Sequence, residues 1–205
     1  MSAKENLQKP VHRQPLRTSE LAQIALCAVL LAVCAWVVLP FPVPFTLQTF
    51  ALFLTLCTLG GRKGLYAVAV YLLLGLAGLP VFSGFQGGFG ALLGATGGYL
   101  LSFPAAAGIY WLMTTKPAVS LLRKAAACTL GLLSCYILGT AWFLLVYTHT
   151  TAPLSLSAAL RWCVIPFLIP DFLKLGLALT VSRRLQPYLK QKESSPHCEG
   201  HDSVV

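Results

Sequence analysis

The chain has 205 residues, of which 57% are hydrophobic and only 10% charged, with a mean hydropathy of +0.74 and a formal charge of +9. Soluble domains carry about 25% charged residues, so this composition excludes a soluble globular protein and calls for a polytopic membrane protein. The excess base lies beside apolar segments, where it sets orientation in a membrane, and so it does not point to nucleic acid.

Residues 1–19 form a polar, basic tail carrying Lys4, Lys9, Arg13 and Arg17. Thr18-Ser19-Glu20 is a helix-start signal, and the first predicted span covers about 21–39. This run is too long for a signal peptide and five more apolar segments follow, so it reads as a transmembrane helix. Ala28 and Ala32 within it are four residues apart. Small residues let helix backbones approach closely in a membrane. The spacing fits internal packing and a docking face for another subunit equally well.

Pro40 to Pro44 is an uncharged turn, and Thr46-Leu47-Gln48-Thr49 opens the second span, about 46–60. Gln48 places an amide near a span entrance, where it caps the helix or hydrogen-bonds a ligand. The basic turn Gly60 to Gly64 leads into the third span, about 65–82. Residues 84–98 contain seven glycines and no charge, together with Phe85, Phe89, Leu92 and Leu93. A loop exposed to water would be more polar. Glycine permits close backbone approach to a ligand, and non-helical backbone at membrane depth has to be buried in protein or line a cavity. The loop therefore reads as a lid, with Gly87 and Gly88 as candidate ligand contacts.

The fourth span, about 97–115, opens with Tyr99, and the basic link 116–124 leads to the fifth, about 125–147. Arg161 and Trp162 read as an interfacial anchor before the last span, about 162–182, which contains Pro166 and Pro170. Residues 186–205 read as a disordered tail. The seven cysteines form no Cys-x-x-Cys pair and read as small buried hydrophobes. His197-Cys198-Glu199-Gly200-His201 is a weak metal-like cluster within that tail, and neither a metal nor a cofactor is expected.

Thirteen of the fifteen Lys and Arg residues fall in the N-terminal tail, the links at 62–63 and 116–124, and the segment after 182. The alternate loops hold only Arg161. Under the positive-inside rule this pattern predicts an all-α membrane protein with six transmembrane helices in residues 20–185 and both termini in the cytoplasm.

Against that background Asp171 stands out as the one acidic residue between Glu20 and Glu193, with Lys174 three residues on. A charge at the bilayer centre costs about 2.5–3.5 kcal/mol on insertion scales, so such residues face a cavity and mark a functional site. Residues at i and i+3 share a helix face, which lets these two neutralise each other. Counting back from Arg183, Lys174 lies about 14 Å and Asp171 about 18 Å into the membrane. Gln48 and the glycine loop belong to the same outer side, so an outward-facing cavity is expected. Pro170 suits a helix start, which would put Asp171 in a first turn, where the helix dipole favours an anion.

At these residues the chain resembles the BioY family, the biotin-binding S-components of energy-coupling-factor (ECF) vitamin transporters. The likeness rests on three blocks: Val43 to Phe50, Gly75 to Phe82 continuing through Gly94 to Leu100, and Pro166 to Asp171 with Lys174. It covers about 20–185. Ala95 stands where the family usually has proline, and the Pro-Gly-Asp preceding its last helix is here Ile169-Pro170-Asp171. The resemblance implies high-affinity biotin binding and uptake at the bacterial cytoplasmic membrane. It implies as partners a transmembrane coupling protein and two ATP-binding-cassette ATPases. Ala28 and Ala32 then become the expected docking surface.

Biotin offers ureido N–H donors, a ureido carbonyl, an apolar ring and a carboxylate. Asp171 is expected to accept the N–H groups and Lys174 to donate to the carbonyl or the carboxylate, with Tyr99 and the glycine loop around the ring and Gln48 as a further partner. The chain lacks a Gly-x-x-x-x-Gly-Lys-Ser/Thr phosphate loop and so is not itself an ATPase. Two alternatives are an S-component for another small vitamin and a small polytopic enzyme. One Asp and one Lys within the spans is a thin set for catalysis.

Overall fold

The computed structural model describes residues 17–39, 45–115 and 119–194. The expectations for residues 1–16, for the turn 40–44 and for the cluster 197–201 lie outside the described residues. Eight helices and one small ribbon are described: α1 (Thr18–Trp36), β1 (Val38–Leu39), β2 (Phe45–Thr46), α2 (Gln48–Leu59), α3 (Gly61–Leu76), α4 (Phe89–Leu93), α5 (Gly97–Met113), α6 (Leu121–Thr150), α7 (Leu156–Cys163) and α8 (Ile165–Ser194).

Local chemistry explains the element ends. The Arg17 backbone N–H donates to the Glu20 carboxylate at 3.0 Å, closing the start of α1. The same carboxylate pairs with Lys63 at 2.7 Å, fixing the start of α1 to the start of α3. Gly60 joins α2 to α3 at φ +79°, in the left-handed region where glycine carries no steric cost. Ser120 and Ser155 cap α6 and α7 by accepting from the N–H groups of Arg123 and Ala158. In the antiparallel ribbon, Val38 faces Thr46 and Leu39 faces Phe45. It therefore holds the start of α2 against the end of α1.

The core is apolar and closely packed: Leu31, Leu52, Phe53, Leu56, Val68 and Leu132 are all buried. Lipid is as apolar as leucine, so helix association in a membrane relies on close packing and small residues. The contact between α5 and α6 illustrates this. A Cβ on Gly98 would overlap the Trp142 side chain, and one on Gly139 would overlap the Tyr99 ring. Outside, large apolar side chains such as Leu26, Leu122, Ile137 and Leu173 are exposed, as a lipid-facing surface requires.

Helices occupy all six apolar segments. Three stretches are long and apolar enough to cross a bilayer by length and composition: Thr18–Trp36, Leu121–Thr150 and Leu156–Tyr188. The helices in the other three segments, α2, α3 and α5, have 12, 16 and 17 residues. At 1.5 Å per residue α2 is about 18 Å long, well short of a hydrocarbon core of about 30 Å.

The fold departs from the sequence reading in four places. Ala28 and Ala32 are 1% and 6% exposed and pack inside the chain, so this small-residue spacing serves internal packing and offers a partner no surface. The lipid-facing side of α1 instead presents Leu26, Val29 and Val33. Pro170 does not start a helix. Instead α8 begins at Ile165, with Pro166 in its first turn, where a missing N–H costs nothing. Asp171 consequently lies in the second turn, and its partners are side chains, not free backbone N–H groups.

The glycine loop is also more ordered than a lid of irregular chain: it holds a 3-10 turn at Ser83–Phe85 and the helix α4. Lastly, the helix runs past residue 186 to Ser194. Extending an existing helix is cheap once it is nucleated, and the Gln186 amide fastens this part by donating to the Cys57 carbonyl at 2.8 Å.

Gly98→Ala should be destabilising, because its methyl group meets the Trp142 side chain across two packed backbones. The expected loss is about 1–3 kcal/mol, read as a lower thermal unfolding midpoint in detergent. An unchanged midpoint would show that α5 and α6 pack less closely than described.

Candidate ligand-binding site

A cavity of about 80 Å³ lies between α2, α5, α6 and α8, with the Ser83 turn at its edge. Its inner wall is apolar and closed, formed by Phe103, Leu132 and Cys135, which are buried. Its outer rim is formed by Phe45, Thr46, Ser83 and Thr96, which are partly exposed. The site thus combines apolar walls with a few placed polar groups, the usual composition of a small-molecule site.

The polar groups centre on α8. Asp171 and Lys174 are 5% and 8% exposed, and Lys174 Nζ lies 2.8 Å from Asp171 Oδ1. The same Oδ1 accepts from Thr49 Oγ1 at 3.0 Å, and Oδ2 accepts from the Tyr136 hydroxyl at 2.7 Å. Lys174 also donates to the Thr46 carbonyl at 2.7 Å and to Thr49 Oγ1 at 3.3 Å. Its ammonium stands 3.7 Å from the centroid of the Phe45 ring, a cation–π arrangement. Burying one charge is costly, and the attraction between two repays the cost only if their remaining hydrogen bonds are also satisfied. Here β2, α2 and α6 supply those bonds.

The hydrogen-bond count shows what remains for a ligand. A carboxylate has about four acceptor positions, and Asp171 uses three of them, two on Oδ1 and one on Oδ2. One position is left on Oδ2. An ammonium has three protons, and Lys174 uses all three, the contact to Thr49 being the longest at 3.3 Å. The pair can therefore take one donor directly, and one acceptor in exchange for Thr49. A group presenting an N–H beside a carbonyl matches this arrangement.

Four of the six predicted ligand contacts line the cavity: Asp171, Lys174, Tyr99 and Gln48. The Gln48 amide donates to the Tyr71 hydroxyl, which in turn donates to the Val81 carbonyl at 3.1 Å. Gln48 is thereby anchored to α3 and to the segment before the glycine loop. The Tyr99 hydroxyl shares a hydrogen bond with Thr140 at 3.2 Å. Its ring lies against Gly139, which fixes its tilt into the cavity.

Gly87 and Gly88 do not line the cavity. Gly87 packs against the Leu79 carbonyl, where a Cβ would clash, and Gly88 adopts φ +81° and donates to the Gly75 carbonyl at 2.7 Å. Their role is to fold the loop onto α3. The loop meets the site through its two ends, Ser83 and Thr96.

Tyr136, Thr49, Phe45 and the Thr46 carbonyl join the site without having been singled out in the sequence. Phe45, Thr46 and Thr49 lie inside the segment Val43 to Phe50 quoted above, so position along the chain pointed to their neighbourhood but not to their roles. Tyr136 carried no signal of its own. An aromatic residue within an apolar span is ordinary, and only the fold brings it to Asp171.

The model of the BioY family matches residues 5–191. A biotin transporter BioY of Thermotoga maritima is 38% identical over 168 residues, covering 82% of this chain and 95% of the relative. A probable biotin transporter BioY of Pyrococcus horikoshii is 34% identical over 172 residues, covering 83% of this chain and 98% of the relative. Among solved structures, the S-component for biotin from an ECF-type ABC transporter has a TM-score of 0.72 and 22% sequence identity, covering 84% of this chain and 95% of that one. The shared fold thus extends over nearly the whole of that structure, and the family match across residues 5–191, with 38% identity to the Thermotoga relative, establishes that this chain belongs to the BioY family.

Proposed function

We propose that this chain binds biotin and serves as the substrate-specific subunit of an ECF-type uptake system. The observation that carries this reading is the buried Asp171–Lys174 pair on the wall of an otherwise apolar cavity, in a chain of a family whose named relatives are biotin transporters. Asp171 Oδ2 accepts a ureido N–H with its one remaining position. Lys174 releases Thr49 and donates to the ureido carbonyl. Tyr99, Leu100 and Phe103 enclose the ring, and Gln48 supplies a further polar contact. Gly87 and Gly88 act by shaping the loop that closes the rim.

The chain performs no chemistry on its ligand. Uptake draws on a transmembrane coupling protein and two ATP-binding-cassette ATPases, since the chain carries no phosphate loop of its own. Because Ala28 and Ala32 are buried, the coupling protein engages a different surface. The protein sits in the bacterial cytoplasmic membrane with six spans and both termini inside. The distribution of Lys and Arg supports that topology, as does the presence of a helix in each of the six apolar segments.

Equilibrium binding of labelled biotin to the detergent-purified protein is the direct test, and no saturable binding would reject the reading. Asp171→Asn and Lys174→Met should each weaken biotin binding by about a hundredfold or more, since each removes a charge-assisted contact and strands its partner. Each should also lower the thermal midpoint. The double variant should recover most of that stability and none of the binding. Wild-type affinity in both single variants would remove the pair from the site.

Tyr136→Phe removes one donor from Asp171 and leaves the ring in place. It should weaken biotin binding by about tenfold and also lower the thermal midpoint, because the buried carboxylate loses one of its three donors. Equal affinity in that variant would mean that the hydroxyl plays no part in positioning the carboxylate.

A further inference from the structure

The charges lining the cavity bear on which forms of the ligand the site accepts, an inference that rests on the biotin reading above. Among the lining residues there is one cation and one anion, Lys174 and Asp171, and they are paired at 2.8 Å. The site is therefore neutral as a unit. All three Lys174 protons are engaged, and on the biotin reading the one contact weak enough to exchange, to Thr49 at 3.3 Å, goes to a ureido carbonyl. Among the described residues no other base lines the cavity. Arg161 is exposed on α7 and does not line the cavity, and Arg62 and Lys63 belong to the start of α3, at its opposite end from the Ser83 turn. The segment 40–44 has no charged residue.

The rim, by contrast, is polar and partly open, with the hydroxyls of Thr46, Ser83 and Thr96. An ionised carboxylate is strongly hydrated, and moving it into an apolar wall without a cation is costly. The ligand's carboxylate is best placed at this rim, still hydrated.

We infer that the site recognises the ureido ring end and does not require the carboxylate, so that biotin esters and amides bind as well as the free acid. The substrate class is then biotin together with its carboxyl-linked derivatives, with the linked group projecting past Ser83 and Thr96.

The test is competition against labelled biotin on the full, detergent-purified chain, with unlabelled biotin, biotin methyl ester and biotinamide as competitors. The expected result is that ester and amide compete within about threefold of biotin. A buried, charge-assisted contact to the carboxylate would make them about tenfold to a hundredfold weaker, and that result would overturn the inference. Lys174→Gln gives a second reading. If Lys174 meets the ureido carbonyl, the variant loses affinity for acid and ester by the same factor. A loss confined to the acid would place the carboxylate on Lys174 and refute the inference. Absence of labelled-biotin binding to the unmodified chain would overturn the biotin reading and this inference together. Binding of biotin with selective exclusion of its ester and amide would overturn this inference alone.

Discussion

The structure depends on one constraint, the need to keep an acid and a base together inside an apolar helix bundle. Asp171 and Lys174 are 5% and 8% exposed, and neither is stable there alone. Their mutual contact is not enough, because a carboxylate and an ammonium present about seven hydrogen-bonding positions between them. The chain meets this demand from three elements: the Thr46 carbonyl from β2, the Thr49 hydroxyl from α2 and the Tyr136 hydroxyl from α6. The ribbon between β1 and β2 has only two residues per strand. Its value is positional, since it presents the Thr46 carbonyl and the Phe45 ring to the same ammonium.

This arrangement favours binding over catalysis. A general base needs a free lone pair aimed at a substrate proton, and a nucleophilic lysine needs to be neutral. Lys174 is held as a donor to three acceptors, and Asp171 accepts from three donors. What is left, one acceptor position and one exchangeable contact, is suited to reading the pattern of donors and acceptors on a planar group. A site built to hydrogen-bond its ligand also rejects analogues that lack those groups, because its own polar atoms are then left unpaired. Specificity and structural stability therefore draw on the same residues.

The parts of this site that were legible in the sequence were those that break a local rule. Asp171 and Lys174 are charges where the flanking residues are apolar, and Gln48 is an amide at a span entrance. Tyr99 opens a span within a conspicuous block, Gly94 to Leu100. Tyr136 and Thr49 break no rule, since a tyrosine or a threonine inside an apolar helix is unremarkable, and only the packing of α6 and α2 against α8 reveals their partner. Ala28 and Ala32 show the converse. Small residues four apart favour close helix packing whether the neighbouring helix belongs to the same chain or another, so the spacing identifies a contact but not its owner. Pro166 and Pro170 are equally undecidable by pattern. Either suits a helix start, and the structure begins α8 at Ile165, where the Phe167 and Leu168 N–H groups donate to the Val164 carbonyl.

The glycine loop couples the site to the rest of the fold. Glycine at 87 and 88 admits close backbone approach, and what approaches is the end of α3 and the turn that follows it. Phe82 lies against Gly75 and meets Tyr71 edge-on at 5.5 Å, and Tyr71 bonds both Gln48 and the Val81 carbonyl. Trp36 at the end of α1 donates to the Pro80 carbonyl at 2.8 Å and stacks on Phe85 at 5.0 Å. The rim residue Ser83 sits between these anchors. Its position is set from α1 on one side and, through Tyr71, by the Gln48 amide in the cavity on the other. The Gln48 amide that lines the cavity and the segment that leads to its rim thus belong to one hydrogen-bonded chain.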